Sequence, residues 1–586
     1  MKMNSFTAGR RARRAALQQV ALSALLSALC SSVVIAQEVP PAPGAAEPAA
    51  AASPAPAASE PQAAVAVAGE AMPAAEQAAA PAPAAAPATG QASTGTPPRR
   101  VHVVYFPEEE KARIRDEIRQ EVMGTIAREN WLEAGAVPEW MRRVKFSGDI
   151  TLRGQGDFLD PANDAAINFN AINSGSPVDI FLPAGSSPQK VLTIPYLNTS
   201  EDRRTLKLRA RLAMDTVIDE RISVGMRLAT GSTANPVSTT QNLGHEFNKT
   251  TFLLDRAFVR YQSQYHVALT AGRMANPWQA NTDVIWDRDV NLDGLALRLK
   301  PALSGGINPW LSLGAFPFGQ TDANFPSSSP FKAGSRDKWL YGAQFGMRIR
   351  VLGDMQWRST LAVYDFSNIE GQLSSSCYAP TSAVPCDSDH TRPGFMQKGN
   401  TLFALRDLDR PNPATDPEFQ YFGLASAFQV ASLNLSLEKP LEYGRKLQFD
   451  AELAQNLAFD AGGVTALVPV NNFAPCPASN PNCAASWEGG DLAWQLQVRY
   501  GHEKVNEAGR WDAMLGYRYV ESDAVVDAFT DSDFHLGGSN AQGFYVGSSV
   551  AVRKNTVLAG KYLSAREVSG FRFAVDVLQL ELQARF

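Results

Sequence analysis

The strongest constraint on this chain is a strict alternation of apolar and polar residues, held over long segments and kept up to the last residue. In "VLQLELQARF", Leu578, Leu580, Leu582, Ala584 and Phe586 share one parity, while Gln579, Glu581, Gln583 and Arg585 share the other. A period of two is that of a strand with two unlike faces. "FSGDITLRGQGDF" sets Phe146, Ile150 and Leu152 against Ser147, Asp149, Thr151, Arg153, Gln155 and Asp157. "TLKLRARLAMD" sets Leu206, Leu208, Ala210, Leu212 and Met214 against Lys207, Arg209, Arg211 and Asp215.

The pattern predicts sixteen strands, at 144–158, 203–216, 221–231, 250–263, 266–273, 291–300, 308–317, 338–351, 355–367, 419–437, 445–458, 490–502, 510–521, 541–553, 556–565 and 573–586. Short turns at 217–220, 352–354 and 554–555 alternate with long loops such as 159–202, 368–418 and 459–489. Within 419–437 the apolar parity changes between Phe428 and Leu433, which predicts a bulge near Ala431.

A soluble β-sandwich also alternates. These strands, however, commonly reach ten residues or more, about the length that crosses a bilayer when tilted. Aromatics fall near strand ends (Phe146, Phe158, Tyr261, Trp357, Trp511, Tyr519, Phe586), where interfacial girdles lie. Hydrocarbon satisfies no backbone group, so such a sheet must close. Sixteen closed strands surround water rather than a packed core. The expected fold is all-β and transmembrane: a 16-stranded antiparallel outer-membrane β-barrel over 144–586, preceded by a short helix. Phe586, closing a lipid-facing parity, is expected to serve as an assembly signal for the barrel-assembly machinery.

The N-terminal region agrees with export. Arg10, Arg11, Arg13 and Arg14 precede an apolar stretch that ends on "VIA" before Gln37, the pattern of a signal peptide over 1–36. Residues 37–106 include an Ala/Pro tract too poor in large apolar residues to build a core, and read as a tether. In 107–143, Ile114, Ile118, Val122 and Ile126 recur every four residues behind Pro107 and three glutamates, predicting an amphipathic periplasmic helix. That helix is either a trimerising stem or a segment packed on the barrel or cell wall. Cys377 with Cys386, and Cys476 with Cys483, form two close pairs, and an exported chain with an even count favours two local disulfides.

Several phrases resemble the "putative porin" family of Gram-negative outer-membrane proteins: "PEWMRRVKFSGDITLRGQ" (138–155), "DRAFVRYQ" (255–262), "AGRMANPWQANTDVIWDRDVNLDGLALRL" (271–299) and "YVESDAVVDAFTDSDFHLGGSNAQGFYVG" (519–547). The similarity runs over about 107–586. It implies passive diffusion of small solutes and supplies no binding residues.

Read without that resemblance, "DRDVNLDG" places Asp289, Asn291 and Asp293 at calcium-loop spacing, but Lys300 stands where the bidentate glutamate belongs. This is a weak calcium candidate, and the other reading is a loop anchored by its carboxylates. Six histidines (His102, His245, His266, His390, His502, His535) sit in no nucleophile or metal motif, so neither an enzyme nor a cofactor is expected. A net charge of -5 gives no argument for nucleic acid.

On the inward parity stand Lys207, Arg209, Arg211, Arg227, Arg256, Arg260, Arg298, Arg348, Arg350, Arg358, Arg499 and Arg518, with Arg553 and Lys561. Inward acids are fewer: Asp149, Asp157, Asp215, Asp450, Glu452 and Glu581. The sequence therefore predicts a pore-lining set dominated by cations and a water-filled porin for small hydrophilic solutes or anions. A homotrimer is expected. The competing class is a non-conducting barrel used as a structural or adhesive scaffold, and an arginine ladder that only braces the wall would suit it.

Overall fold

The computed structural model describes residues 143–179, 194–264, 266–301, 306–413, 415–474 and 485–586. The expected signal peptide, tether and N-terminal helix lie outside the described residues, as does the pair Cys476 and Cys483.

Sixteen long strands make one antiparallel sheet. In chain order they are β1 (Val144–Leu159), β2 (Arg203–Val217), β3 (Ile222–Thr230), β4 (Phe252–Gln262), β5 (Val267–Ala275), β6 (Asn291–Leu299), β7 (Asn308–Gly319) and β8 (Lys338–Arg350). They continue as β9 (Gln356–Ser367), β10 (Phe428–Pro440), β11 (Arg445–Asn456), β12 (Leu492–His502), β13 (Trp511–Val520), β14 (Ala541–Arg553), β15 (Thr556–Glu567) and β16 (Ala574–Arg585). Each pairs with its neighbours in sequence, and β1 also pairs with β16 from Asp149↔Arg585 to Leu159↔Val575, which closes the barrel. A two-residue strand, Gln241–Asn242, extends β2 beyond the reach of β3.

Alternation makes the wall two-faced, as the sequence requires. Phe146, Ile150, Leu206, Leu496 and Leu580 stand exposed on the outer face, where lipid belongs. The long connections lie at one end; we number them L1 to L8 in chain order, with L3 spanning 276–290, L4 320–337, L5 368–427 and L7 521–540.

The inside is not hollow throughout. L3, L5 and L7 fold into the long-loop end and bury Trp286, Phe403, Phe422 and Val525 against Phe316, Tyr364, Phe366 and Phe428 of the wall. This packing explains a correction to the sequence reading. Residues 419–437 are not one bulged strand: β10 starts at Phe428 and keeps an unbroken register with β9 and β11. Phe422–Leu424 belongs to L5 and pairs with Leu402–Ala404, while Phe419–Gln420 pairs with Val178–Asp179 of L1. Phe428 and Val430 are buried on the inward parity because loops, not water, face them. L5 also carries the disulfide Cys377–Cys386, with Cα atoms 5.9 Å apart.

Candidate functional site

Below the loop core the wall turns polar, and the loops bring charge to meet it. L3 and L7 are fastened together by main-chain groups: Asp287 N donates to Phe529 O (2.7 Å) and Asp531 N to Asp283 O (3.3 Å). Ser532 donates to the Asp287 carboxylate from both N (2.9 Å) and Oγ (3.0 Å). L3 is tied to the wall by reciprocal bonds between Gln279 and Gln344 (2.8 and 2.9 Å), and by Asn281 to Asp450 (2.7 Å). L5 grips L7 through Thr401, whose N and Oγ1 donate to the buried Asp523 carboxylate (2.8 and 2.6 Å).

This docking delivers Asp283, Asp287, Asp289, Asp531 and Asp533 to a cavity of about 490 Å³ whose other side carries Arg153, Arg209, Arg211, Arg499, Arg518 and Lys561. Ion pairs cross it. Arg153 meets Asp533 (2.8 Å) and Glu581 (2.5 Å), and Arg518 meets Asp531 (2.8 Å). Arg211 meets Asp149 (2.8 Å) and Asp289 (3.3 Å), Arg209 meets Asp149 (3.3 Å), and Arg499 meets Asp512 (3.3 Å). Burial works against ionising Asp531, but Arg518 and Lys561 beside it hold it down at about 2. Burial pushes Asp287 the other way, well above the ordinary carboxylate range, and neighbouring Asp531 adds to the rise.

The remaining candidates are distributed around the wall. Lys207 Nζ donates to Gln155 Oε1 (3.0 Å) and Arg256 Nε to Asn291 Oδ1 (2.7 Å), while Arg227 is paired with Asp255. Arg358 pairs with Glu438 (3.1 Å). Arg260 Nε donates to Thr270 Oγ1 (3.3 Å), and Arg348 stands directly across from Arg358 in the sheet. Arg260, Arg298, Arg348 and Arg350 lie toward the short-turn end, and among the described residues no carboxylate comes within ion-pair distance of them. Arg553 and Lys561 sit on β14 and β15, with the Lys561 Nζ 5.7 Å from the Tyr545 ring centre.

Asp255 was not legible as an inward residue. A register shift between Arg227 and Leu228 lets Leu228 oppose Leu254, so Asp255 and Arg256 both contact inner partners. The loop acids were also outside the inward set, although "NTDVIWDRDV" and "FTDSDF" mark where they fall. The three calcium candidates do not converge. Asp289 accepts from Thr239 and Arg211, Asn291 donates to Asp255 (2.7 Å), and Asp293 pairs with Arg273 (2.7 Å). Among the described residues no three His, Cys, Asp or Glu side chains are placed to hold a metal ion.

Three cavities adjoin one another along the interior. A vestibule of about 820 Å³ at the long-loop end shares Ser238 and Asp289 with the charged cavity. The charged cavity in turn shares Asp283, Asp287 and Arg499 with one of about 410 Å³ that includes His502 and Glu503 near a short turn.

No curated protein sequence matches the chain. Among solved structures, it is similar to OprB of Pseudomonas putida at high pH (9% identity, 78% of this chain and 97% of that chain, TM-score 0.40). It is also similar to an anion-selective porin from Comamonas acidovorans (10% identity, 76% and 99%, TM-score 0.36) and to the outer membrane channel DcaP of Acinetobacter baumannii (11% identity, 76% and 97%, TM-score 0.34). Likenesses this distant add nothing to the fold seen directly in the strand order. The family model described as "Putative porin" matches residues 56–586, beginning inside the Ala/Pro tract and so earlier than the similar phrases did. The chain belongs to this porin family of outer-membrane β-barrels.

Proposed function

We propose that the barrel conducts small hydrophilic solutes and ions by passive diffusion, through a constriction formed where L3 and L7 face the arginine wall. The observation that carries this reading is the run of three adjoining cavities from the long-loop end toward the short turns, the inner two of them polar. A scaffold barrel would gain nothing from keeping water-accessible charge along its axis, because burying charge without need is costly. Purified protein in a planar bilayer should give stepwise ionic conductance; a protein that inserts and folds but never conducts would leave only the scaffold reading.

The finer proposal is a modest anion preference, carried by Arg260, Arg298, Arg348 and Arg350 and not by Lys207, Arg209 and Arg211. The latter strip is compensated: Asp149 and Asp289 pair with two of its members. Opposite charges within a Debye length of about 8 Å cancel for a passing ion.

The outer wall supports a homo-oligomer, which we propose is a trimer. Trp339, Tyr341, Trp357, Trp494, Trp511 and Tyr517 stand on β8 to β13, whereas β16 and β1 to β3 hold no Trp or Tyr. Such residues favour the lipid interface, so the arc without them suits contact with other copies. Cross-linking in intact membranes through cysteines placed on β1 and β2 should capture trimers.

A further inference from the structure

The vestibule above the constriction has an electrostatic and aromatic character that the diffusion reading does not need. Arg336, Lys338 and Arg392 line it from L4, β8 and L5. They are close enough for Arg392 and Arg336 to repel the Lys338 ammonium. Yet their bonding partners are main-chain carbonyls. Lys338 Nζ donates to Thr391 O (3.0 Å) and Arg392 O (2.9 Å), and Arg392 donates to Asn173 O (2.9 Å) and Asp389 O (2.6 Å). Arg336 Nε is buried with no hydrogen-bond partner. Among the described residues, no carboxylate lies within ion-pair distance of these three side chains. Across the same space Asp289 is paired with Arg211, Asp255 with Arg227 and Asp293 with Arg273, while Asp527, which also lines the vestibule, is buried and has the Lys398 ammonium near it. Three cations without an ion-pair partner therefore stand together on one side of the vestibule.

Beside that charge lie half-buried rings. Phe318, Phe395 and Phe529 line the cavity. Phe529 and Phe318 meet edge to face with centroids 5.9 Å apart, and Trp286 backs Phe529 at 6.0 Å. A ring held this way offers part of its face or edge to a ligand, and aromatic pairs prefer such offset or perpendicular contacts. Guanidinium groups bind carboxylates through planar, charge-assisted hydrogen bonds.

We propose that the vestibule is a binding subsite for small planar organic anions, with the carboxylate held by Arg336, Lys338 and Arg392 and the ring lodged against Phe318, Phe395 and Phe529. The subsite deepens the porin reading: it would concentrate one solute class at the entrance to the charged constriction. Arg336 and Arg392 are not interchangeable with any neutral donor there, because the anion must displace water from a cavity already rich in apolar wall.

The test uses the full-length folded protein and three probes: benzoate, acetate and benzyl alcohol. Binding is measured by saturation-transfer NMR on detergent-solubilised protein, and channel block by planar-bilayer recording with the probe on the long-loop side. Benzoate should bind and reduce the current in a saturable way, while acetate and benzyl alcohol bind about tenfold more weakly or worse. Arg336→Gln with Arg392→Gln should weaken benzoate about tenfold, and Phe395→Leu should bring it toward acetate. Heat-modifiable migration confirms that each variant is folded. Equal binding of benzoate and acetate, equal binding of benzoate and benzyl alcohol, or block untouched by the variants would each overturn the subsite. Conductance without benzoate binding removes the subsite and leaves the porin. Benzoate binding in a protein that never conducts removes the channel reading and leaves the subsite.

Discussion

The pair Arg518–Asp531 offers the sharpest perturbation, because it pins L7 to the wall at the constriction. Its side chains are 5% and 8% exposed, and Arg518 also donates to Gln495 (2.6 Å). Asp531→Asn keeps shape but removes the charge. Two magnitudes bracket the cost. Asp531 is lowered from 3.8 to about 2; a shift of that size corresponds to roughly 2 kcal/mol of docking free energy. Removing one partner of a buried pair typically costs about 3–5 kcal/mol, an upper bound here since Gln495 still holds Arg518. The sign follows from the depressed value. The stabilisation is complete above the unfolded carboxylate's value near 4 and is lost as pH falls through about 2. Wild-type protein should therefore hold L7 in place at neutral pH and release it between about pH 4 and 2, seen as growing open-channel noise and cleavage of L7 by pepsin. Asp531→Asn should show raised noise and L7 cleavage at neutral pH already, with little further change on acidification. A variant as quiet and as protease-resistant as wild type at neutral pH would refute the pin.

Three further outcomes are expected. In reversal-potential measurements across a salt gradient, the triple variant Arg260→Gln/Arg298→Gln/Arg348→Gln should lose the anion preference, whereas Lys207→Gln/Arg209→Gln/Arg211→Gln should turn the channel toward cations by freeing Asp149 and Asp289; no shift in either variant would mean these residues only brace the wall. Reducing Cys377–Cys386 should loosen the L5 tip by about 3 kcal/mol on the chain-entropy model, speeding proteolysis of L5 while leaving the barrel's thermal unfolding in place. Deleting Phe586, which is 66% exposed and exchanges two 3.0 Å main-chain bonds with Gly148, should lower the amount of heat-modifiable barrel in the outer membrane; unchanged assembly would remove it from that role.

The wall was legible in the sequence because one rule governs it: residues facing lipid must be apolar and their neighbours need not be. That rule gave β1, β2 and β16 within a residue or so, and it held wherever the inner face met water. It failed at 419–437 because Phe422, Leu424 and Phe428 are apolar for a second reason, the loop core, which period-two reasoning cannot tell from lipid. It also failed at Asp255, where one extra residue on β4 changes which side chains share a face, and no local signal announces such a bulge. The constriction was harder still. Its acids come from L3 and L7, and a loop's sequence says little about whether it folds inward or out. The phrases shared with the porin family did point there, since two of them cover these loops from end to end.

The close approach of L5 and L7 shows how firmly that inward fold is built. Gly538 has φ +97°, a left-handed conformation, and a Cβ there would stand 1.9 Å from Lys398 O. Only glycine fits both demands. Lys398 O accepts from Ser539 N (2.9 Å) at the same crossing, so the two loops share main-chain bonds as well as apolar packing. The result bears on selectivity. On the proposed anion preference, a barrel with its loops withdrawn should favour anions more than the docked one. L7 adds Asp531 and Asp533, and L3 adds Asp283, Asp287 and Asp289 with the single cation Arg288, to the face of the wall. Charge balance at the constriction is therefore a property of loop docking and not of the strand sequence. Any substitution that releases L7 at neutral pH should move the channel toward anions, through the loss of Asp531 and Asp533 from the lumen and without alteration of a single wall arginine.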